Sequence, residues 1–253
     1  MQFSICTTNY QCAHALDRHP ESVFDLLKGL EFEYIVVDNK SKDRSMEILK
    51  RWESQESNMK VLSKKCTMGE GRQISFTHSK GEFILVMDTD TVYYPICEKF
   101  LNIYLDEYSD VAVQAMFLGV FPRRIWEKIG GRRSLNAFED VDMWIRIWEL
   151  GKMRWYPIVM GENVKDEGSD GRYDYLSTRY NKREQITRLL RKEYDLLKTS
   201  GIRELDLEKI AQENTIDLGL GELRKDWFRN YPKLTKADNI KRFGREMKRT
   251  LKG

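Results

Sequence analysis

The 253-residue chain has few of the residues that build metal clusters or cross-links: three histidines and four cysteines. His14 and His19 are five apart, which puts them on different faces of a helix, and no HExxH pattern surrounds them, so a histidine metal site is not expected. His19 precedes Pro20, where a helix is expected to end. Cys6, Cys12, Cys66 and Cys97 form neither a CxxC pair nor a regular spacing, which excludes zinc ribbons and disulfide frameworks and leaves buried free thiols. Long apolar runs are also missing. The longest, residues 111–121, is broken by Gln114 and falls well short of the roughly 20 residues that span a bilayer. MQFSICTTNY shows no basic stretch followed by an apolar core, so it reads as mature structure, with a cytoplasmic location as the expectation. There is no internal repeat and no low-complexity run.

What is present is enough for a large core: 41% hydrophobic and 11% aromatic residues exclude general disorder. Charge is unevenly distributed. Residues 1–171 carry 22 Lys+Arg against 27 Asp+Glu, whereas residues 172–253 carry 21 against 13. The chain therefore divides into a mildly acidic body, 1–171, and a basic C-terminal extension, 172–253. The extension is expected either to meet an anionic surface or to form ordinary solvated helices. Its end, NIKRFGREMKRTLKG, spaces Phe243, Met247 and Leu251 by four among six basic residues, a basic amphipathic helix that suits peripheral contact with an anionic membrane through 240–252. A helix packed on the body gives the same pattern.

In the body, apolar segments at 3–8, 34–38, 59–63 and 83–88 read as strands, and the first three are each followed by a helical period. Such a βαβα rhythm predicts a parallel sheet covered by helices, with a ligand crevice at the carboxyl ends of the strands. The polar residues at those ends are the ones to read. Asp38 closes the second strand, where a carboxylate can accept hydrogen bonds from a base or ribose, or can simply shape a turn. Asp88-Thr89-Asp90 follows the fourth strand directly and offers two hard oxygen ligands to a divalent cation on a diphosphate. A second acidic repeat, Asp140-Val141-Asp142, lies instead in a helical stretch, 138–150, with Val141, Trp144, Ile145 and Trp148 as its apolar face. Glu139-Asp140 opens that helix after Gly130-Gly131 and a polar loop. A first-turn acid there either complements the helix dipole or acts as a general base. Trp126, Trp144 and Trp148 are assigned to packing, and Arg123, Arg124, Arg132 and Arg133 either bind an anionic group such as a phosphate, pyrophosphate or acidic sugar or form a solvated basic loop.

The ordered set SICTTNYQ, VVDNKSKDRS, GEGRQISFTHSKGEFILVMDTD and GGRRSLNAFEDVDMWIRIWELG resembles glycosyltransferase family 2, inverting enzymes of the GT-A fold, over roughly residues 1–160. The resemblance implies an α/β, Rossmann-like domain with a mainly parallel mixed sheet flanked by helices, followed here by an α-helical C-terminal extension. It implies donor contacts from Thr8, Tyr10, Asp38, Arg72, Asp88 and Thr89, and Mg²⁺ or Mn²⁺ held by Asp88 and Asp90. Asp140 would be the catalytic base, with Glu139 setting the acceptor site. Three departures matter. Thr8-Asn9-Tyr10-Gln11 stands where many members read Pro-Thr-Tyr-Asn, which leaves base selectivity open. No histidine follows His78, so Glu162 or Asp166 is the nearest substitute for the metal or phosphate contact that many members take from a downstream histidine. No QxxRW element follows the Glu-Asp pair, so a non-processive enzyme is implied.

The implied partners are a UDP- or GDP-sugar donor and a glycan or lipid-linked acceptor, not nucleic acid. The alternative is a degenerate, non-catalytic protein of the same fold that binds nucleotide-sugars or a membrane surface. A sugar nucleotidyltransferase would open with a Gly-rich phosphate loop after the first strand, and TTNYQCAHAL has no glycine.

Overall fold

The structure, a computed structural model, describes residues 1–136 and 139–164. The helices expected in 172–253, the amphipathic segment 240–252, the 171/172 boundary and Asp166 lie outside the described residues, as does the Trp148 side chain. The elements run β1 (Phe3–Asn9), α1 (Arg18–Leu27), β2 (Phe32–Asp38), α2 (Ser45–Gln55), β3 (Met59–Ser63), α3 (Met68–Thr77), β4 (Phe83–Met87) and β5 (Thr91–Tyr93). They continue α4 (Ile96–Glu107), β6 (Ala112–Met116), β7 (Leu118–Pro122), α5 (Arg123–Lys128), α6 (Glu139–Glu149), β8 (Met153–Val159) and β9 (Gly161–Asn163).

The main sheet has seven strands in the order β3-β2-β1-β4-β7-β6-β8. Parallel pairing joins β3, β2, β1 and β4, while β7 runs antiparallel to both β4 and β6, so β7 alone is reversed. The four expected strands are present, with β1 and β2 slightly longer than the apolar runs that announced them. Both faces are covered, and the strands alternate between them. Phe3 and Ile5 of β1, Phe83, Leu85 and Met87 of β4, and Leu118 and Val120 of β7 join one cluster. Cys6, Ile84 and Phe121 from the same strands join the other, with Trp126, Met143, Trp144 and Ile147.

Trp126 stacks on Phe76 at 4.8 Å, and Trp144 meets the edge of Phe121 at 5.9 Å, so both tryptophans pack as expected. One local expectation is reversed: α1 begins at Arg18, so His19-Pro20 opens a helix and does not close one. Proline in the first turn removes only an N–H that would have no intrahelical partner, and its fixed φ already suits a helix.

The chain leaves β1 to build β2 and β3 on one side, then returns to place β4 on the other. This is the arrangement that opens a crevice at the carboxyl ends of the two central strands. Asn9, Asp38 and Ser63 lie in register there. The small β5–β9 ribbon follows immediately after Asp88-Thr89-Asp90.

Candidate active site

At the ends of β1 and β2 a polar network ties the loops together. The buried Asp38 carboxylate accepts from Asn9 Nδ2 at 2.9 Å, from the Ser41 backbone N–H at 2.9 Å and from the Ser41 hydroxyl at 2.6 Å. Ser41 Oγ in turn accepts the Gln11 N–H, and Asn39 Oδ1 accepts the Cys66 N–H. Lys40 sits at φ +55° between these groups, so the turn doubles back on Asp38. Asp38 thus lies at the crevice with its carboxylate engaged by the chain. Thr8 Oγ1 donates to the Val37 carbonyl at 3.0 Å, and Tyr10 is half-buried at the loop entrance.

Arg72 is brought to the crevice by glycines. A Cβ at Gly71 would meet Thr8 Cβ at 2.8 Å and Cys66 Sγ at 3.1 Å; one at Gly69 would meet Glu139 Cβ at 3.2 Å. Two hydrogens in place of two methyl groups let α3 pack against both β1 and the segment before α6. Further ties hold that segment: the Gly69 N–H donates to the Leu135 carbonyl at 2.9 Å, and Gln73 Oε1 accepts from Arg132 N–H and Trp126 Nε1, each at 2.9 Å. Arg72 consequently reaches Asp88 with one guanidinium nitrogen and Glu139 with the other. Burial works against its charge, but Asp88 and then Glu139 more than offset this and raise its pKa.

Asp88 and Asp90 stand beyond the end of β4, as expected, while Thr89 is buried between them. Thr89 hydrogen-bonds the Cys12 thiol, whose pKa is pushed up to about 12 by burial and then by Asp90. No cluster of three His, Cys, Asp or Glu residues suited to a metal occurs among the described residues, and Glu162, exposed on β9, does not complete one. Two carboxylates at a strand end nevertheless fit Mg²⁺ or Mn²⁺, hard cations that take one or two carboxylates and fill their remaining positions from phosphate and water.

On the opposite wall Glu139 is buried and Asp140, next to it, is exposed at the first turn of α6. Burial, then the charge of Asp140, raises the Glu139 pKa, while Arg72 and Arg132 oppose the shift. Arg132 lies against Glu139 at 3.3 Å with its side chain wholly buried, and burial followed by repulsion from Arg72 lowers its pKa to about 10. Asp142, the last residue of the second acidic repeat, is consumed by Arg133 at 3.0 Å and Arg146 at 2.7 Å. The four-arginine loop is therefore not one surface. Arg123 binds the Gly81 carbonyl and Ser79 beside the amino end of β4, away from Asp88, and only Arg132 and Arg133 lie near the Glu-Asp pair. Asn9, Gln73 and Tyr93 carry no signal in the sequence as site residues; their side chains act through tertiary contacts that no local spacing encodes.

The structure is similar to that of a mannosyltransferase from Pyrobaculum calidifontis in complex with GDP-Man and Mn²⁺, with TM-score 0.57, 17% identity, 77% of this chain covered and 64% of that one. Staphylococcus aureus TarS 1–349 in complex with UDP-GlcNAc gives TM-score 0.61 at 15% identity over 91% of this chain and 76% of that one. Another TarS structure gives TM-score 0.56 at 14% identity over 75% of this chain, and there the match spans only 40% of that chain. These likenesses show the GT-A fold. The Glycosyl transferase family 2 model matches residues 4–166, and the chain belongs to that family.

Proposed function

We propose that this chain transfers a sugar from a UDP- or GDP-sugar to an acceptor hydroxyl by a single displacement that inverts the anomeric centre. The observation that supports this most is the Arg72 bridge. One buried guanidinium joins the first acid of Asp88-Thr89-Asp90 to Glu139, so the diphosphate side and the acceptor side of the crevice lie within one ion-paired span. The neighbours named for GDP-Man and for UDP-GlcNAc support a nucleotide-sugar of one of these two bases.

In this reading the donor diphosphate lies over the ends of β1 and β4, with Thr8, Tyr10 and Asp38 on the nucleoside side. Arg72 supplies positive charge to the leaving diphosphate. Asp88 and Asp90 hold Mg²⁺ or Mn²⁺, which when bound neutralises charge on the leaving group. Asp140, exposed beside the fixed Glu139, takes the proton from the acceptor hydroxyl as that oxygen attacks the anomeric carbon. Glu139 cannot exchange that role with Asp140, because two guanidinium groups occupy it. We assign the transfer, with the acceptor oxygen entering beside Glu139 and Asp140, to residues 1–171, and further contact with a glycan or lipid-linked acceptor to the basic 172–253 segment, with 240–252 as its membrane-facing end.

The test is sugar transfer or donor hydrolysis by wild type and Asp140→Asn, with the product anomer read by NMR. An inverted product and a loss of about 10²- to 10⁴-fold in Asp140→Asn support the reading. Retention of configuration refutes it. An Asp140→Asn variant that keeps full rate identifies an acceptor already ionised, such as a lipid phosphate, in place of a hydroxyl.

A further inference from the structure

We propose that the hydroxyl of Tyr93 is a positioning group that turns Asp88 out of the sheet edge toward the diphosphate and its cation. This rests on the reading of Asp88 as a ligand on the metal side of the donor site.

The β4–β7 ladder pairs Phe83 with Pro122 and continues in strict register to Met87 opposite Leu118. The next opposed residues would be Asp88 and Phe117, and there the ladder stops. The Asp88 N–H donates instead to Tyr93 Oη at 2.9 Å, and Tyr93 Oη donates to the Phe117 carbonyl at 2.9 Å. A phenol oxygen is thus inserted where the next rung of the sheet would form. Both backbone groups keep a hydrogen bond, but the strands are held apart at the point where the carboxylate must enter the crevice. Phe117 takes φ +69°, a left-handed conformation unfavourable for an aromatic residue, and such strain persists only where surrounding contacts hold it.

Tyr93 is itself rigidly mounted. It is buried, it pairs with Gly161 across the β5–β9 ribbon, its N–H donates to Ser22 Oγ of α1 at 3.2 Å, and its ring meets His19 edge-on at 5.9 Å. Gly161 is needed for this closeness, since a Cβ there would press on Tyr93 Cα at 3.3 Å and on the Val92 carbonyl. Asp88 is therefore gripped twice, through its peptide by Tyr93 and through its carboxylate by Arg72. A hydrogen bond on the peptide of a ligand fixes that residue's φ and with it the direction of the carboxylate.

The test is Tyr93→Phe, which keeps the ring and deletes the oxygen. Its readouts are Mn²⁺ binding by electron paramagnetic resonance with and without UDP or GDP, nucleotide binding in EDTA, and the split between kcat and KM. The expected result is nucleotide-dependent Mn²⁺ affinity weakened about 10-fold, as for outer-shell partners of metal ligands, with metal-free nucleotide binding unchanged and kcat partly restored by excess Mn²⁺. Ser22→Ala, which loosens the ribbon without touching the hydroxyl, is expected to bind Mn²⁺ as wild type does. Should Tyr93→Phe not fold, Phe117→Val, whose β-branched side chain disfavours φ +69° and so turns the carbonyl away from the hydroxyl, is expected to weaken Mn²⁺ in the same direction. Mn²⁺ affinity within about twofold of wild type in the hydroxyl variant, or equal weakening by Ser22→Ala, overturns the proposal. If wild type itself binds nucleotide but no Mn²⁺, the metal reading of Asp88 fails, and the role of Tyr93 falls with it.

Discussion

Replacing Arg72 by Met keeps most of the side-chain volume and removes the charge on which both walls of the crevice depend. The side chains of Arg72 and Glu139 are 7% and 4% exposed, so their pair is fully desolvated. Removing one partner of such a pair costs about 3–5 kcal/mol, because the other charge is left in the interior. Two features hold the loss near the lower end. Arg132 still faces Glu139 at 3.3 Å, and Asp88, 36% exposed, regains water when its partner leaves. The expected loss is about 3 kcal/mol, or roughly 6–12 °C in Tm for a domain of this size. Urea unfolding followed by far-UV circular dichroism measures it. The double variant Arg72→Met/Glu139→Gln should recover little of the loss, since it takes from the wholly buried Arg132 the carboxylate that faces it at 3.3 Å. A single variant within 1 kcal/mol of wild type, or a double variant as stable as wild type, would refute the bridge as an energetic element of the fold.

Three further outcomes are expected. His19 donates from Nδ1 to the Thr91 carbonyl and accepts the Tyr34 hydroxyl at Nε2, and burial lowers its pKa to about 4. Because the unfolded chain binds this proton more readily, the stability it contributes is complete above about pH 6.5 and is lost as pH falls toward 4, on the order of 3 kcal/mol in all. His19→Gln should flatten that part of the stability–pH curve relative to wild type. Gly71→Ala drives a methyl into Thr8 and Cys66, so it should cost about 1–3 kcal/mol in denaturant melts and weaken donor binding by displacing Arg72. Ser41→Ala frees one lone pair of Asp38, so UDP or GDP affinity by calorimetry should change while kcat stays within about twofold; an unchanged affinity would place Asp38 outside the donor contacts.

Much of the fold was legible because period and position agreed. Residues 59–63 and 83–88 are apolar runs stopped by polar residues, and β3 and β4 lie there. Position also separated the two acidic repeats: Asp88 and Asp90 end a strand, whereas Asp142 is spent on Arg133 and Arg146 inside a helix. What sequence order could not reveal is how far-apart segments interlock. Arg72 and Glu139 are 67 residues apart and meet only because Gly69 and Gly71 remove two methyl groups from the interface. Tyr93 looks like an ordinary strand aromatic until β7 ends opposite it. Arginines in one loop looked equivalent, yet the turn of α5 sends Arg123 to the amino end of β4 and leaves Arg132 behind Glu139. Proline after His19 pointed to a helix end because the rule on residues preceding proline says nothing about which side the helix lies.

In the proposed function Asp88 and Asp90 hold a divalent cation on the diphosphate of a nucleotide-sugar. A thermal-shift panel of UDP-, GDP- and dTDP-sugars with and without Mn²⁺, on wild type and Asp90→Ala, tests it most directly. Stabilisation by UDP- or GDP-sugars is expected to be larger with Mn²⁺ than without it, reaching about 2.7 kcal/mol at a hundredfold excess over Kd, and the Mn²⁺-dependent part is expected to be absent in Asp90→Ala. Stabilisation that is independent of Mn²⁺ and unchanged in Asp90→Ala, or none from any donor at millimolar concentration, would contradict it.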